Sequence, residues 1–278
     1  MANPERSTEM LWEPQPEPRR SLNLERIVRA AVELADAEGL AALSMRRLAE
    51  RLGFTTMALY RHVPGKAELL TLMRERVHGE TEADAGPARA AGWRAELEVW
   101  ARDELAMYRR HPWLAESDDA RHVPGPHTVG RFERALEIVA RTGLPPAHVV
   151  AAVNLVGGFV GSTARQAAAE ARMRRRTGVS DEEWWQDRDS LFAHLDRYPT
   201  LSRLYREGAY DTPPDPFEFG LQRVLDGVEA LVRYESRDEK GCGVCGRPVD
   251  RGPAGRPRDY CSPACRQRAY RLRRGQGG

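Results

Sequence analysis

Apolar residues recur at helical spacing through most of this chain, and strand-like alternation between turn signals is absent until a cysteine-containing tail. Leu24, Ile27, Val28, Ala31, Leu34 and Ala35 fall at i, i+3, i+4 and i+7 positions, which puts one apolar face on a first helix. Asn23 stands where an N-cap belongs and Gly39 where a helix stops. A second helix follows Ser44 as cap, turns Met45, Leu48, Ala49 and Leu52 inward, and ends at Gly53. A short third segment, Thr56 to His62, is broken by Pro64-Gly65. Lys66 to about His78 then forms a fourth helix with Leu69, Leu70, Met73 and Val77 on one side. After a connector over 79–92 the periodicity resumes: Trp93 to about Arg110, Pro126 to Arg141, a long apolar segment from Pro145-Pro146, a short stretch from Leu191 to Leu204 interrupted by Pro199, and Phe217 to about Tyr234. The expected body is all-α.

Composition narrows the class. The chain has 278 residues, 41% of them hydrophobic and 30% charged, which is enough for about two packed domains. No stretch reads as the roughly 18 uninterrupted apolar residues of a membrane span. Residues 1–21 have no apolar core of a secretion signal, and their prolines and scattered charges suggest a disordered leader. A cytoplasmic protein without a membrane partner is expected.

Three short helices with a glycine turn between the second and third form a helix-turn-helix pattern, which by itself is a weak signal. The residues are more specific. LAERLGFTTMALYRHVPGKAELL, within the span 22–78, closely resembles the DNA-binding domain of the TetR family of bacterial regulators. The third helix would enter the major groove by its N-terminal end, where Thr55, Thr56 and Met57 sit. Threonine can hydrogen-bond a base or touch a thymine methyl, and Met57 offers an apolar contact. The alternative is that Thr56 merely caps the helix and Met57 packs in the core, as Leu59 is expected to do. Tyr60 and His62 lie further along, suited to phosphates, and Lys66 at the start of the fourth helix suits a phosphate as well. The resemblance adds Arg46, which matches a DNA-contacting position of tetracycline-repressor-like members.

Over 93–236 the pieces YRRHPWL, RALEIVARTGLPPAHVVAAVNLVGGFVGS and YPTLSRLYREGAYDTPPDPFEFGLQRVLDGVEALV look like the C-terminal domain of tetracycline-repressor-type members. That resemblance implies a domain that dimerises and encloses a small-molecule inducer. The helices from Pro146 and Pro216 would pair with their mates as a four-helix bundle. Independently, Val149, Val150, Val153, Val156 and Val160, and Phe217, Phe219, Leu221, Val224, Leu225, Val228 and Leu231, offer more apolar surface than one monomer face requires. A two-fold dimer predicts a palindromic operator in double-stranded DNA. Trp100, Met107, Asn154 and Phe159 are the candidate ligand-binding residues. Equally, Asn154 reads as a satisfied interfacial amide, and the other three as plain core.

The tail, 241–274, carries nine arginines (247, 251, 256, 258, 266, 268, 271, 273 and 274) against Asp250 and Asp259, and all four cysteines. Cys242-x-x-Cys245 and Cys261-x-x-x-Cys265, fifteen residues apart, suit a closed tetrahedral structural Zn²⁺ site. Knuckle, short hairpin and then a helix from Pro263 would make a treble-clef-like module. Its basic helix could lie on nucleic acid, stay solvated, or contact a protein. The chain shows no Gly-rich phosphate loop, GxSxG or HExxH, so an enzyme is not expected. The first expectation is a ligand-released, sequence-specific repressor. The second is a zinc-module adaptor or architectural DNA-binding protein without an inducer.

Overall fold

The computed structural model describes Glu5, Thr8, Glu9, Trp12 and residues 22–80, 92–116, 123–186, 194–238, 242, 244–247, 249 and 260–275. Most of the leader, the connector residues 81–91 and the stretch 250–259, where the hairpin of the tail was expected, lie outside these. The four described leader residues are helical, and the Trp12 indole donates to the Pro124 carbonyl at 3.3 Å. Among the described residues there are helices and no strand.

Local signals set the first helices. In α1 (Leu24–Glu38) the Asn23 side chain accepts from the Arg26 amide at 2.8 Å, and Gly39 leaves the helix at φ +82°. Ser44 caps α2 (Met45–Leu52) through the Arg47 amide, and Gly53 closes it in the left-handed conformation at φ +76°, which only glycine adopts cheaply. Helix α3 is shorter than its sequence pattern, Thr56–Tyr60, and α4 is Lys66–Glu80. These four helices share a core of Ile27, Leu34, Leu48, Leu59, Leu69, Met73 and Val77.

The body comprises α5 (Gly92–Arg110), α6 (Trp113–Glu116), α7 (Pro126–Ala140), α8 (Pro146–Thr177), α9 (Asp181–Gln186), α10 (Pro199–Arg206) and α11 (Pro216–Asp238). A second core joins Leu97, Ala101 and Leu105 of α5, Ile138 and Val139 of α7, the α8 valines 149, 153, 156 and 160, and Phe217, Leu221, Leu225 and Val228 of α11. Helix α8 is long and apolar enough to cross a membrane by length and composition, a property its Asn154, glycines and Ser162 disguise along the chain. Here it packs against α5, α6, α7 and α11. Helix α12 (Pro263–Gly275) belongs to the tail.

Helices α5 and α11 run antiparallel, and a polar ladder fixes their register. Arg94 bonds Asp226 (2.7 Å) and Glu229 (2.9 Å), Glu98 accepts from Gln222 (2.9 Å), and Arg102 holds Glu218 (2.7 Å). Each four-residue step up α5 meets a step of similar size down α11. Helices α8 and α11 cross where Gly220 faces Phe159, whose ring atoms stand about 2.5 Å from where a Cβ would be. A side chain there would displace a ring already stacked on Phe217.

The two cores meet through Met107, Trp113 and Leu114, which join the first core, and Tyr108, which packs on both, with polar contacts beside them. His111, at the end of α5, is buried with Nδ1 2.9 Å from Asp36 of α1 and Nε2 3.2 Å from Glu80 of α4. The Trp113 indole donates to the same Asp36 at 2.7 Å. Helix α7 begins at Gly125, which has no side chain to cap it, so the cap comes from α4. The Glu75 carboxylate accepts from the His127 amide, the Thr128 amide (3.2 Å) and the Thr128 hydroxyl (2.8 Å).

Candidate DNA-reading surface, body interior and cysteine cluster

The first four helices hold α3 out from the molecule. Ala58 and Leu59 are its buried anchors, Leu59 as expected, and Thr55 rather than Thr56 is the cap, accepting from the Ala58 amide at 3.3 Å. That leaves Thr56, half-buried, as the first helical residue. Met57 is 71% exposed, so it is not a core residue. Thr55, Tyr60 and His62 are exposed beside it, and Arg46 stands out from the start of α2, 3.6 Å from Glu50 on its own helix. The surface thus gathers hydroxyls, a thioether, a phenol, an imidazole and a guanidinium. Lys66 lies exposed at the start of α4, but its ammonium also donates to the carbonyls of Leu43 (2.7 Å) and Leu40 (3.4 Å), bracing the α1–α2 loop. Nothing in the local pattern announced that second task.

The four residues expected to line a ligand site do not converge. Met107 is buried in the core of the first four helices, whereas Trp100 belongs to the body core. Phe159 is occupied by Phe217 and the Gly220 crossing. Asn154 is exposed on the outer face of α8, with Val150 and Leu155. The reason is angular: 154 lies on the opposite side of α8 from the inward valines 153, 156 and 160.

Of these four residues, Trp100 keeps an unspent interior group. It is 9% exposed, its ring lies over Gly157 of α8, and its Nε1–H is buried with no hydrogen-bond partner among the described residues. One and two turns along the same face of α5 come Glu104 and Tyr108. Arg131 of α7 pairs with Glu104, its Nη2 2.6 Å and its Nε 2.8 Å from Oε1, with the two side chains 11% and 14% exposed. Burial pushes the Glu104 carboxyl above the ordinary carboxylate range despite Arg131. The Tyr108 phenol is likewise raised, by burial first and then by Glu104. Glu104, Tyr108 and Arg131 were not foreseen, because a charged residue in a sequence reads as solvated.

In the tail, the Cys242 carbonyl accepts from the amides of Gly246 (2.8 Å) and Cys245 (3.2 Å), forming the expected knuckle. The Ser262 hydroxyl caps α12 through the Cys265 amide at 3.2 Å. All four cysteines are free thiols, and their sulfurs lie within 4.8 Å of one another. The sulfur separations are 3.4 Å for Cys245–Cys261 and 3.7 Å for both Cys261–Cys265 and Cys265–Cys245. Backbone amides, first that of Cys261, pull the Cys242 thiol down to about 6, while hydrogen bonds from Cys245 and Cys242 push Cys261 up to about 12. This cluster can hold a metal ion.

Residues 27–73 match the family model described as bacterial regulatory proteins, tetR family, and residues 86–232 match that of the tetracyclin repressor-like C-terminal domain. The cysteine tail lies beyond both. The chain is 43% identical over 236 residues to the HTH-type transcriptional repressor DrrR1 of Streptomyces coeruleorubidus, covering 82% of this chain and 86% of that one. It is 30% identical over 212 residues to the tetracycline repressor protein class G of Vibrio anguillarum, covering 74% and 92%. Among solved structures, ActR of Streptomyces coelicolor in complex with actinorhodin superposes with a TM-score of 0.62 at 28% identity, over 77% of this chain and 98% of that one.

Proposed function

The chain belongs to the TetR family of transcriptional regulators, and on that premise we propose that it is a dimeric repressor that reads a palindromic operator and is released by a small molecule bound in its body. The observation that carries the reading is α3. A five-residue helix is anchored by two buried residues so that Met57 and Tyr60 face outward with no packing purpose, beside half-buried Thr56 and the capping Thr55. Thr55, Thr56 and Met57 are the base-reading candidates. Tyr60, His62, Arg46 and Lys66 take phosphates, with Lys66 sharing its ammonium between phosphate and the α1–α2 loop.

Dimerisation is supported by the outer faces of α8 and α11, where Val150, Leu155, Phe219 and Tyr234 are exposed. Asn154 belongs to that face, as an interfacial amide rather than a ligand contact. The ligand site is supported by Trp100, whose orphaned N–H asks for an acceptor, with Glu104, Tyr108 and Arg131 as neighbouring polar groups. The structure of ActR in complex with actinorhodin supports a small-molecule site in this chain as well. No catalytic role is assigned, and the setting is the cytoplasm, where the operator is.

The tail is a structural zinc module. A tetrahedron built with zinc–sulfur bonds of about 2.3 Å has sulfur–sulfur edges of about 3.8 Å, close to the separations found here. Cys242, Cys245, Cys261 and Cys265 would hold the ion and leave no open position, so zinc supplies folding energy to the tail and no chemistry. The domain partition follows: reading head 22–78, connector 79–92, body 93–236, zinc module 241–274.

Selection of bound duplexes from a random pool, with the zinc-replete chain, tests the reading. A two-fold symmetric consensus is expected, and the double variant T56A/Y60A should lose it while keeping its helical content. A non-palindromic product, or binding indifferent to those changes, would refute it.

A further inference from the structure

The tail carries a second strongly basic surface, and the fold decides where that surface can work. Arg266, Arg268 and Arg271 of α12 are exposed, as is Tyr270, while Ala269 is buried. Along the body the junction arginines are matched: Arg94 with Asp226 and Glu229, Arg102 with Glu98 and Glu218, Arg131 with Glu104, Arg141 with Glu96. Among the described residues none of the three tail arginines has a carboxylate at ion-pair distance. A cationic helix on a module whose sequence holds nine arginines and two acids has the charge of a phosphate-binding surface.

The attachment point lies far from the operator. Helix α5 meets the reading head at its C-terminal end, where His111 touches Asp36 and Glu80, and it holds α11 at its other end through Arg94. From His111 back to Arg94 is about 25 Å of helix, at 1.5 Å per residue. Beyond Glu229, which Arg94 grips, α11 runs on to Asp238 for about 14 Å more. His148, at the start of α8, lies 3.3 Å from Glu235, so this is also the pole where α8 begins. The tail therefore departs about 40 Å from the junction with the reading head, and α3 lies beyond that junction. Fully extended, the chain from Asp238 to Cys242 spans at most about 14 Å, and α12 adds about 20 Å. A linker of that length ties the module to the pole opposite the reading head.

We infer that α12 presents a second nucleic-acid surface at the pole opposite the reading head, which holds the phosphate backbone of a second duplex segment rather than the operator. This rests on the operator-binding reading above. It makes the protein a bridge between DNA segments as well as a reader of one.

The test uses the full zinc-replete chain, saturated with an unlabelled operator duplex of about 20 bp from the selection, and a fluorescent duplex lacking that sequence. Anisotropy is followed from about 50 to 200 mM salt. The operator-bound chain should capture the second duplex. The triple variant R266A/R268A/R271A should lose most of that capture and flatten the slope of log K against log salt by about 2.7, or about 0.9 per phosphate contact removed. Its affinity for the operator alone, and the salt slope of that affinity, should match the parent. Failure of the operator-bound parent to capture the second duplex would overturn the inference and leave the arginines to a protein partner or to solvent. Weakened operator binding by the triple variant would overturn it too, by putting the tail on the operator. If no selected duplex binds at all, the operator reading itself fails, which is a separate result.

Discussion

Replacing Glu75 should damage the protein far more than its place on a polar helix face suggests. The residue is 8% exposed, and its carboxylate is the cap of a helix it does not belong to. In Glu75→Ala the His127 and Thr128 amides lose their acceptor inside a close junction. Gly125 and Gly79 are tight there: a Cβ at 125 would stand 2.5 Å from the Glu75 carboxyl, and one at 79 would stand 2.9 Å from the His127 ring. The Thr128 hydroxyl can turn to another partner, since His78 Nδ1 is 2.8 Å away, but the two amides cannot. The junction is partly buried, and a donor there left without its partner costs about 1–3 kcal/mol, so the two together cost about 3 kcal/mol after partial rehydration. Loss of a favourable charge at the positive end of α7 adds some tenths.

Urea unfolding at matched protein concentration measures this. A loss of about 3 kcal/mol appears as a midpoint lowered by about 1 M with the slope unchanged, or as a melting temperature lowered by about 6–12 °C. Glu75→Gln keeps one acceptor oxygen and should lose roughly half as much, because charge-assisted bonds are about twice as strong as neutral ones. Hydrogen exchange should speed up first at the amides of 127–129. The reasoning fails if Glu75→Ala unfolds within about 0.5 kcal/mol of the parent, or if those amides stay protected.

Other consequences can be checked separately. Arg131→Met leaves Glu104 buried without its partner and should destabilise by about 3–5 kcal/mol. Burial already holds the Glu104 carboxyl above the range of an unfolded chain. Stability tied to its protonated form is therefore present at low pH and lost as pH rises through the folded value, so the variant should lose more at pH 8 than at pH 5 in paired melts. Leu155→Arg, at a position 54% exposed in one chain, should leave the fold intact yet halve the mass seen by light scattering; a variant that stays dimeric would move the interface elsewhere. The parent should bind one zinc per chain by elemental analysis, and Cys242→Ser should bind none stably, with the melting of the body unchanged.

What could be seen in the sequence follows from how far apart the interacting residues are. Caps act within three residues, so Asn23 and Ser44 were visible, while Thr55 and Thr56 were close enough alternatives to be confused. Inward faces act within one helix, so the α8 valines and Leu59 were visible as core. Helix α4 shows the limit. Its apolar residues 69, 73 and 77 pack among the first helices and are plain in the pattern. Its opposite side buries Glu75 only because the N-terminus of α7, fifty residues away, needs an acceptor. Trp100 looked like core and is core; what marks it is an N–H without a partner, which no spacing encodes. Met107 was grouped with Trp100 by composition, yet two turns of α5 carry it from one core into the other.

The same distinction explains why the tail could be recognised but not assigned. Four cysteines at the right spacing mark a cluster that can hold a metal from within thirty residues, whereas the task of the arginines beside them depends on which pole of the body they leave. That pole is set by the antiparallel ladder of Arg94, Glu98 and Arg102 against α11, contacts well over a hundred residues apart in sequence. Had α5 and α11 run parallel, α12 would emerge beside the reading head and its charge would serve the operator. With the register observed, the proposed operator contact and the proposed tail contact would be two terms that salt and mutation change independently. The architectural reading of the sequence then stands beside the repressor rather than against it.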